Sequence, residues 1–148
     1  MMRTLLLVIG GFAASLTFAA AAELSASDKA AIFKAAGFKA KGSTYMRCVD
    51  EAPSYMPGAI ALQDMNGDGA TEAFVTESSA FCYGGTEQAF VLLSKDSKGA
   101  WKTLLEEVGV ATVLGTKSKG WFDIEVGGPG MGPFPKFRFN GKEYVLKK

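Results

Sequence analysis

From residue 58 onward the chain is a succession of short strand-forming runs separated by glycine-containing turns, and this punctuation is its strongest constraint on fold. Residues 59–62 enter an acidic loop and residues 73–76 leave it. Residues 88–94 (QAFVLLS) read as a strand, 96–99 as a turn and 100–105 as the returning strand. Another short strand falls at 110–114, a turn at 117–120 and a further strand at 121–126. Residues 137–139 and 143–146 flank Asn140-Gly141, and Asn-Gly between two strand-like runs is the strongest short hairpin signal. The predicted fold is mainly β, a small antiparallel sheet or sandwich of blade-like hairpins. One helix precedes it, at residues 25–37. Ser25 or Ser27 caps that helix, Asp28 sits in its first turn and Gly37 ends it, while Ala31, Ile32, Ala35 and Ala36 form an apolar face.

Two segments of the β region rhyme. Gly69-x-x-Glu72-x-x-Val75, then Phe90-Val91-Leu92, then Gly99-x-Trp101 is answered by Gly120-x-x-Asp123-x-x-Val126, then Phe137-Arg138-Phe139, then Gly141-x-x-Tyr144. We read this as a degenerate duplication of a four-stranded unit. Two such units are too few to close a propeller, so they are expected to pack as a compact sheet or sandwich.

The N-terminus carries a different signal. Arg3, an apolar run over residues 5–18 and the small residues Ala20-Ala21-Ala22 have the form of a secretory signal peptide, so residues 1–22 are read as a leader and 23–148 as one β-rich domain. Within it, 23–57 is a lead-in with the helix and one cysteine, and 58–148 holds the hairpins. Loss of the leader takes Arg3 from the 16 basic residues and none of the 15 acidic ones, leaving the charges balanced. A balanced chain with scattered lysines lacks the basic stripe that a nucleic-acid partner requires. No membrane association is expected once the leader is cleaved. An exported chain with only two cysteines, Cys48 and Cys82, is expected to join them in a disulfide. The expected location is the periplasm or the extracellular medium.

The chain contains no histidine. That removes Ser-His-Asp and Cys-His catalysis, His-ligated zinc and the commonest general base near neutral pH. No spacing singles out a carboxylate pair in its place, so no catalytic residue is assigned.

The acidic loop is the clearest candidate site. In Asp64-Met65-Asn66-Gly67-Asp68-Gly69-Ala70-Thr71-Glu72, oxygen-bearing side chains recur at Asp64, Asn66 and Asp68, and Glu72 closes the run. Alternation of this kind suits a hard cation, and crowded carboxylates repel one another without one. A turn rich in Asn, Asp and Gly is the alternative. An EF-hand is excluded, because the position that needs a bidentate Glu is Val75. The stretch, with the apolar Ala73-Phe74-Val75 behind it, resembles the calcium segment of FG-GAP and related VCBS-type repeats. The resemblance implies a structural Ca2+ held by Asp64, Asn66, Asp68, the backbone carbonyl of Ala70, and Glu72. The chain departs from that pattern in having a single acidic loop, since the second unit offers Lys117-Ser118-Lys119-Gly120 at the matching place.

A second loop, residues 127–135, is built from glycine and proline and is kept out of regular pairing. Its Gly128, Pro129, Met131 and Phe134 make a candidate partner-recognition loop, with Phe134 as a core plug the alternative. The expected function is that of an exported, non-enzymatic binding protein of the bacterial cell envelope, with a protein or a cell-wall component as partner. One concrete version inhibits an envelope hydrolase by inserting this loop. The competing expectation is a carboxylate-based hydrolase of cell-wall polymers, in which Asp123, Glu125 or Glu77 faces a second acid across a cleft.

Overall fold

The computed structural model describes residues 24–49, 51–130 and 132–148; the expected leader and Met131 of the candidate partner loop lie outside them. Helix α1 (Ala26–Ala35) comes first, followed by a small hairpin of β1 (Lys39–Lys41) and β2 (Thr44–Met46). Then come β3 (Met56–Gln63), β4 (Glu72–Ser78), the one-turn α2 (Ala80–Tyr83), a 3-10 turn (Gly84–Thr86), β5 (Gln88–Lys95) and β6 (Trp101–Val108). Strands β7 (Val110–Ser118), β8 (Trp121–Gly127), β9 (Lys136–Phe139) and β10 (Tyr144–Leu146) complete the chain. Strands β3 to β6 form one four-stranded antiparallel sheet and β7 to β10 another, each in sequence order. The two rhyming segments thus fall on matching strands: β4, β5 and β6 in the first sheet, β8, β9 and β10 in the second.

The sheets and the helix make three layers. Side chains alternate faces along a strand. Phe74, Phe90, Leu92 and Leu105 point from the first sheet onto Ile124, Val126, Phe137 and Tyr144 of the second. Ala73, Val75, Val91 and Leu93 point the other way, onto Ile32, Phe33, Ala36 and Phe38. Strands β4 and β5 are therefore covered on both faces, which explains their nearly unbroken apolar sequence. Trp101 and Trp121 are half-buried at the margins of the core, the first beside the helix cluster and the second beside the inter-sheet cluster.

Local chemistry sets the element ends. The Ser25 hydroxyl accepts from the Asp28 backbone N–H at 3.0 Å, and α1 stops at Ala36 before Gly37, whose φ is +81°. Lys119 and Gly120 both have positive φ and join β7 to β8 in a two-residue turn, tighter than the expected 117–120. The Asn140-Gly141 hairpin is looser than its signature. Phe139 pairs with Tyr144 across four residues, and the Asn140 side chain accepts from the backbone N–H groups of Lys142 and Glu143.

The chain passes from one sheet to the other through Gly109 alone. A side chain there would lie 2.5 Å from the Gly127 carbonyl oxygen, and φ is +146°. This crossing puts the β3–β4 loop at one end of the molecule. At the other end lie residues 47–49 and 51–56, α2, the β6–β7 junction and residues 127–130 and 132–135.

Candidate functional site

The acidic loop is held by its own backbone. Asp64 accepts from the N–H groups of Asn66 (3.1 Å), Gly67 (2.6 Å) and Gly69 (3.0 Å). The Asn66 side-chain oxygen Oδ1 accepts from Asp68 N–H at 2.8 Å and its Nδ2 donates to the Asp68 carboxylate at 2.9 Å. Asp68 also accepts from Ala70 N–H at 2.7 Å. Positive φ at Gly67 (83°) and Gly69 (86°) turns the chain so that these donors face inward. Bonds from Gly67 and Gly69 hold the Asp64 carboxyl below the usual aspartate range.

Met65 and Glu72 anchor this loop to the rest of the protein. Met65 is fully buried in the inter-sheet core, and its carbonyl accepts from Phe122 N–H of β8 at 2.9 Å. Glu72, 2% exposed, accepts from Met65 N–H at 2.8 Å and from the Ser94 hydroxyl at 3.0 Å. Its pKa is raised, first by burial and further by the charges of Asp68 and Asp64, against the pull of its two donors. Lys117 leans toward the loop, its ammonium 4.0 Å from where a Gly67 Cβ would sit and 4.1 Å above the Phe122 ring.

The donor chemistry of the loop is that of a hard-cation site: oxygens only, with carboxylates at three of its positions. Among the described residues, no three acids, cysteines or histidines are gathered closely enough to hold a metal. The loop side chains serve backbone donors instead.

The second notable constellation is centred on Glu77. This carboxylate is 2% exposed and follows Ala73 and Val75 on the same face of β4. The helix covers the first two, and the segment after β2 covers Glu77. Glu77 accepts from the backbone N–H groups of Arg47 (2.9 Å) and Cys48 (3.2 Å) and from the hydroxyls of Tyr55 (2.5 Å) and Tyr83. Cys48 is disulfide-bonded to Cys82 on α2, with Cα atoms 6.2 Å apart. The Arg47 guanidinium pairs with Glu106 of β6. Burial, then the Glu77 hydrogen bond and charge, push the Tyr83 phenol far above its usual range. One buried carboxylate and one disulfide therefore tie segment 47–55 to α2.

Around this clamp apolar groups face outward. Val49 and Phe81, each next to a bridged cysteine, are both 81% exposed, and Met56, Val108 and Val110 of the adjoining strand ends are also exposed. Loop 127–135 lies at the same end. Its Gly128, Pro129 and Phe134 line a shallow depression with Gly85, Thr86 and Val110, and Phe134 is half-buried there, outside both core clusters.

The acids named for a hydrolase are separately engaged. Glu77 is sealed by its four donor groups. Asp123, 1% exposed on β8, accepts from the Thr116 hydroxyl at 2.8 Å and from Lys147 at 3.3 Å, and its other oxygen has no partner. Burial opposes the Asp123 charge, but bonds from Ser118, Thr116 and Lys147 outweigh it and lower its pKa. Glu125 lies 3.7 Å from Lys136. Glu77 and Glu106 both act on Tyr83. There Arg47 occupies Glu106, and Glu77 is shut away from solvent.

The Glu77 clamp and the outward apolar groups were not anticipated from sequence. An acid in a strand and an apolar residue beside a cysteine carry no local sign of burial or exposure. Compared with protein-family models, curated proteins and solved structures, the chain matches none.

Proposed function

We propose that this chain is an exported, non-enzymatic binding protein of the bacterial cell envelope. The disulfide-bearing end engages a partner, and the acidic loop at the opposite end takes a structural Ca2+. The observation that carries the reading is the collection of exposed apolar side chains, Val49, Phe81, Met56, Val108 and Val110, around a rigid disulfide and carboxylate clamp. Apolar groups held outward on a stiff support mark an interaction surface, and rigidity lowers the ordering cost of association. The inhibitor version of this reading places loop 127–135, beside that surface, in the cleft of a wall hydrolase.

Calcium at Asp64, Asn66, Asp68, the Ala70 carbonyl and Glu72 is supported by the oxygen-only donor set and by the raised pKa of Glu72, which a nearby divalent charge would relieve. Its role would be to pin the β3–β4 loop against β8.

Immobilised mature protein is expected to retain a partner from envelope extract, and Phe81→Ser to lose it. Recovery of nothing, with no wall hydrolase slowed by the protein, ends the binding reading. For the metal, melting with calcium and with chelator is decisive: a calcium-bound native state melts higher as ligand is added. An unmoved transition at millimolar calcium, on the order of 1 mM, removes the ion.

A further inference from the structure

The geometry points to the Cys48–Cys82 disulfide as a one-sided, reversible exchange site, at which a small external thiol bonds to Cys82 and Cys48 is the sulfur released. The exchange needs neither a partner protein nor calcium, so it stands or falls apart from the binding reading. Its ground is the unequal placement of the two bridged residues. Cys48 is 6% exposed, whereas Cys82 is exposed on the one-turn α2. Phe81, Gly84 and Gly85 around Cys82 are exposed as well, and a Cβ at Gly84 would meet nothing within 4 Å. Buried groups surround Cys48 instead: its N–H donates to Glu77 at 3.2 Å, and the buried Ser79 hydroxyl is 3.5 Å from its Sγ.

Access decides which sulfur of a disulfide is attacked. Cys82 can be approached from solvent. At Cys48 a nucleophile would first have to displace protein. The external thiolate bonds to Cys82 Sγ, the bridge breaks, and its electron pair leaves on Cys48 Sγ. The proton given up by the external thiol returns on Cys48. One disulfide replaces another, so no outside oxidant or reductant is consumed. Ser79 places a hydroxyl beside the sulfur that takes the charge. Glu77 is the positioning residue for the return step. It accepts from the N–H groups of Arg47 and Cys48 and from the Tyr55 hydroxyl at 2.5 Å, and none of these bonds passes through the bridge. They keep the Cys48 thiol facing Cys82 after exchange. Attack by Cys48 on Cys82 Sγ then expels the small thiol and re-forms the bridge, with the advantage of a reactant held in place.

The test incubates folded mature protein with an excess of reduced glutathione, quenches with acid and maps the adduct by peptide mass. The expected product carries glutathione on Cys82, with at least roughly tenfold less on Cys48. Tyr55→Phe removes one hydroxyl from the clamp and should raise the glutathione-bearing share about threefold to tenfold. Tyr144→Phe removes a hydroxyl that donates to the Phe122 carbonyl in the second sheet, and it should leave that share unchanged. Melting of each variant checks that it folds.

Equal labelling of the two cysteines, or more on Cys48, overturns the one-sided site. So does a bridge that takes up glutathione only after urea has unfolded the chain. Equal rises in the two tyrosine variants would make general stability the cause and end the positioning role of Glu77. An unchanged share with Tyr55→Phe ends that role as well.

Discussion

Glu72 and Asp64 share a loop yet respond to pH in opposite senses. Burial first, then Asp68 and Asp64, raise the Glu72 pKa, so its contribution to stability is complete below the pKa of an unfolded glutamate and is lost as pH rises through its folded value. Asp64 is lowered by the N–H groups of Gly67 and Gly69, so its contribution is present above the unfolded value and lost as pH falls through the folded one. At neutral pH, Glu72 alone is a liability. Glu72→Gln can still accept from Met65 and can bond Ser94 through its amide. In chelator at neutral pH it should melt at or above the wild type, and calcium should raise it less. A lower melting point in chelator would show that the Glu72 charge helps the fold as it stands. Lys147 tests another buried acid, Asp123. Lys147→Met leaves Asp123 with only hydroxyl partners and should cost about 1–3 kcal/mol in urea unfolding. Adding Asp123→Asn should recover part of that loss.

At the scale of elements, the helix–sheet contact depends on a missing side chain. A Cβ at Gly58 in β3 would lie 2.6 Å from Phe33 Cε1 and 2.8 Å from Phe38 Cε1. Phe33 is itself stacked on Tyr45 of β2 at 4.1 Å, so it has little room to move. Gly58→Ala should destabilise by roughly 1–3 kcal/mol. Amide exchange across α1 should accelerate more than exchange in β8 and β9. Gly115 in β7 faces open space and serves as the control, with Gly115→Ala expected to be close to neutral. Equal losses at both glycines would mean that strand conformation, and not ring packing, sets the cost.

For the molecule as a whole, the disulfide spans 34 residues and ties the lead-in to the first sheet. Chain entropy assigns such a link about 3–4 kcal/mol. Replacing Cys48 and Cys82 by Ala should lower the melting point while far-UV dichroism keeps its β form, because the bridge lies outside both core clusters that join the layers. The near-UV tyrosine signal should weaken, because the bridge beside the Glu77 hydrogen bonds of Tyr55 and Tyr83 would be gone. Collapse of the far-UV signal under native conditions would make the bridge essential to the sheets.

The strand succession, the antiparallel β architecture, the helix with its serine cap and the pairing of Cys48 with Cys82 were all legible in residue order. Each follows from local rules: glycine permits a turn, side-chain alternation defines a strand, and two cysteines allow one bridge. The β1–β2 hairpin and α2 were not legible, being too short to show a period. Contacts made across the fold decided the rest. Glu77 is a clamp because residues 22 to 30 positions earlier bring it donors, and Met65 is a core residue because β8 arrives beneath the acidic loop. Phe81 faces outward because no layer is left to cover it. Burial is a property of what lies opposite a side chain, and the crossing at Gly109, the helix layer and segment 47–55 settle that together.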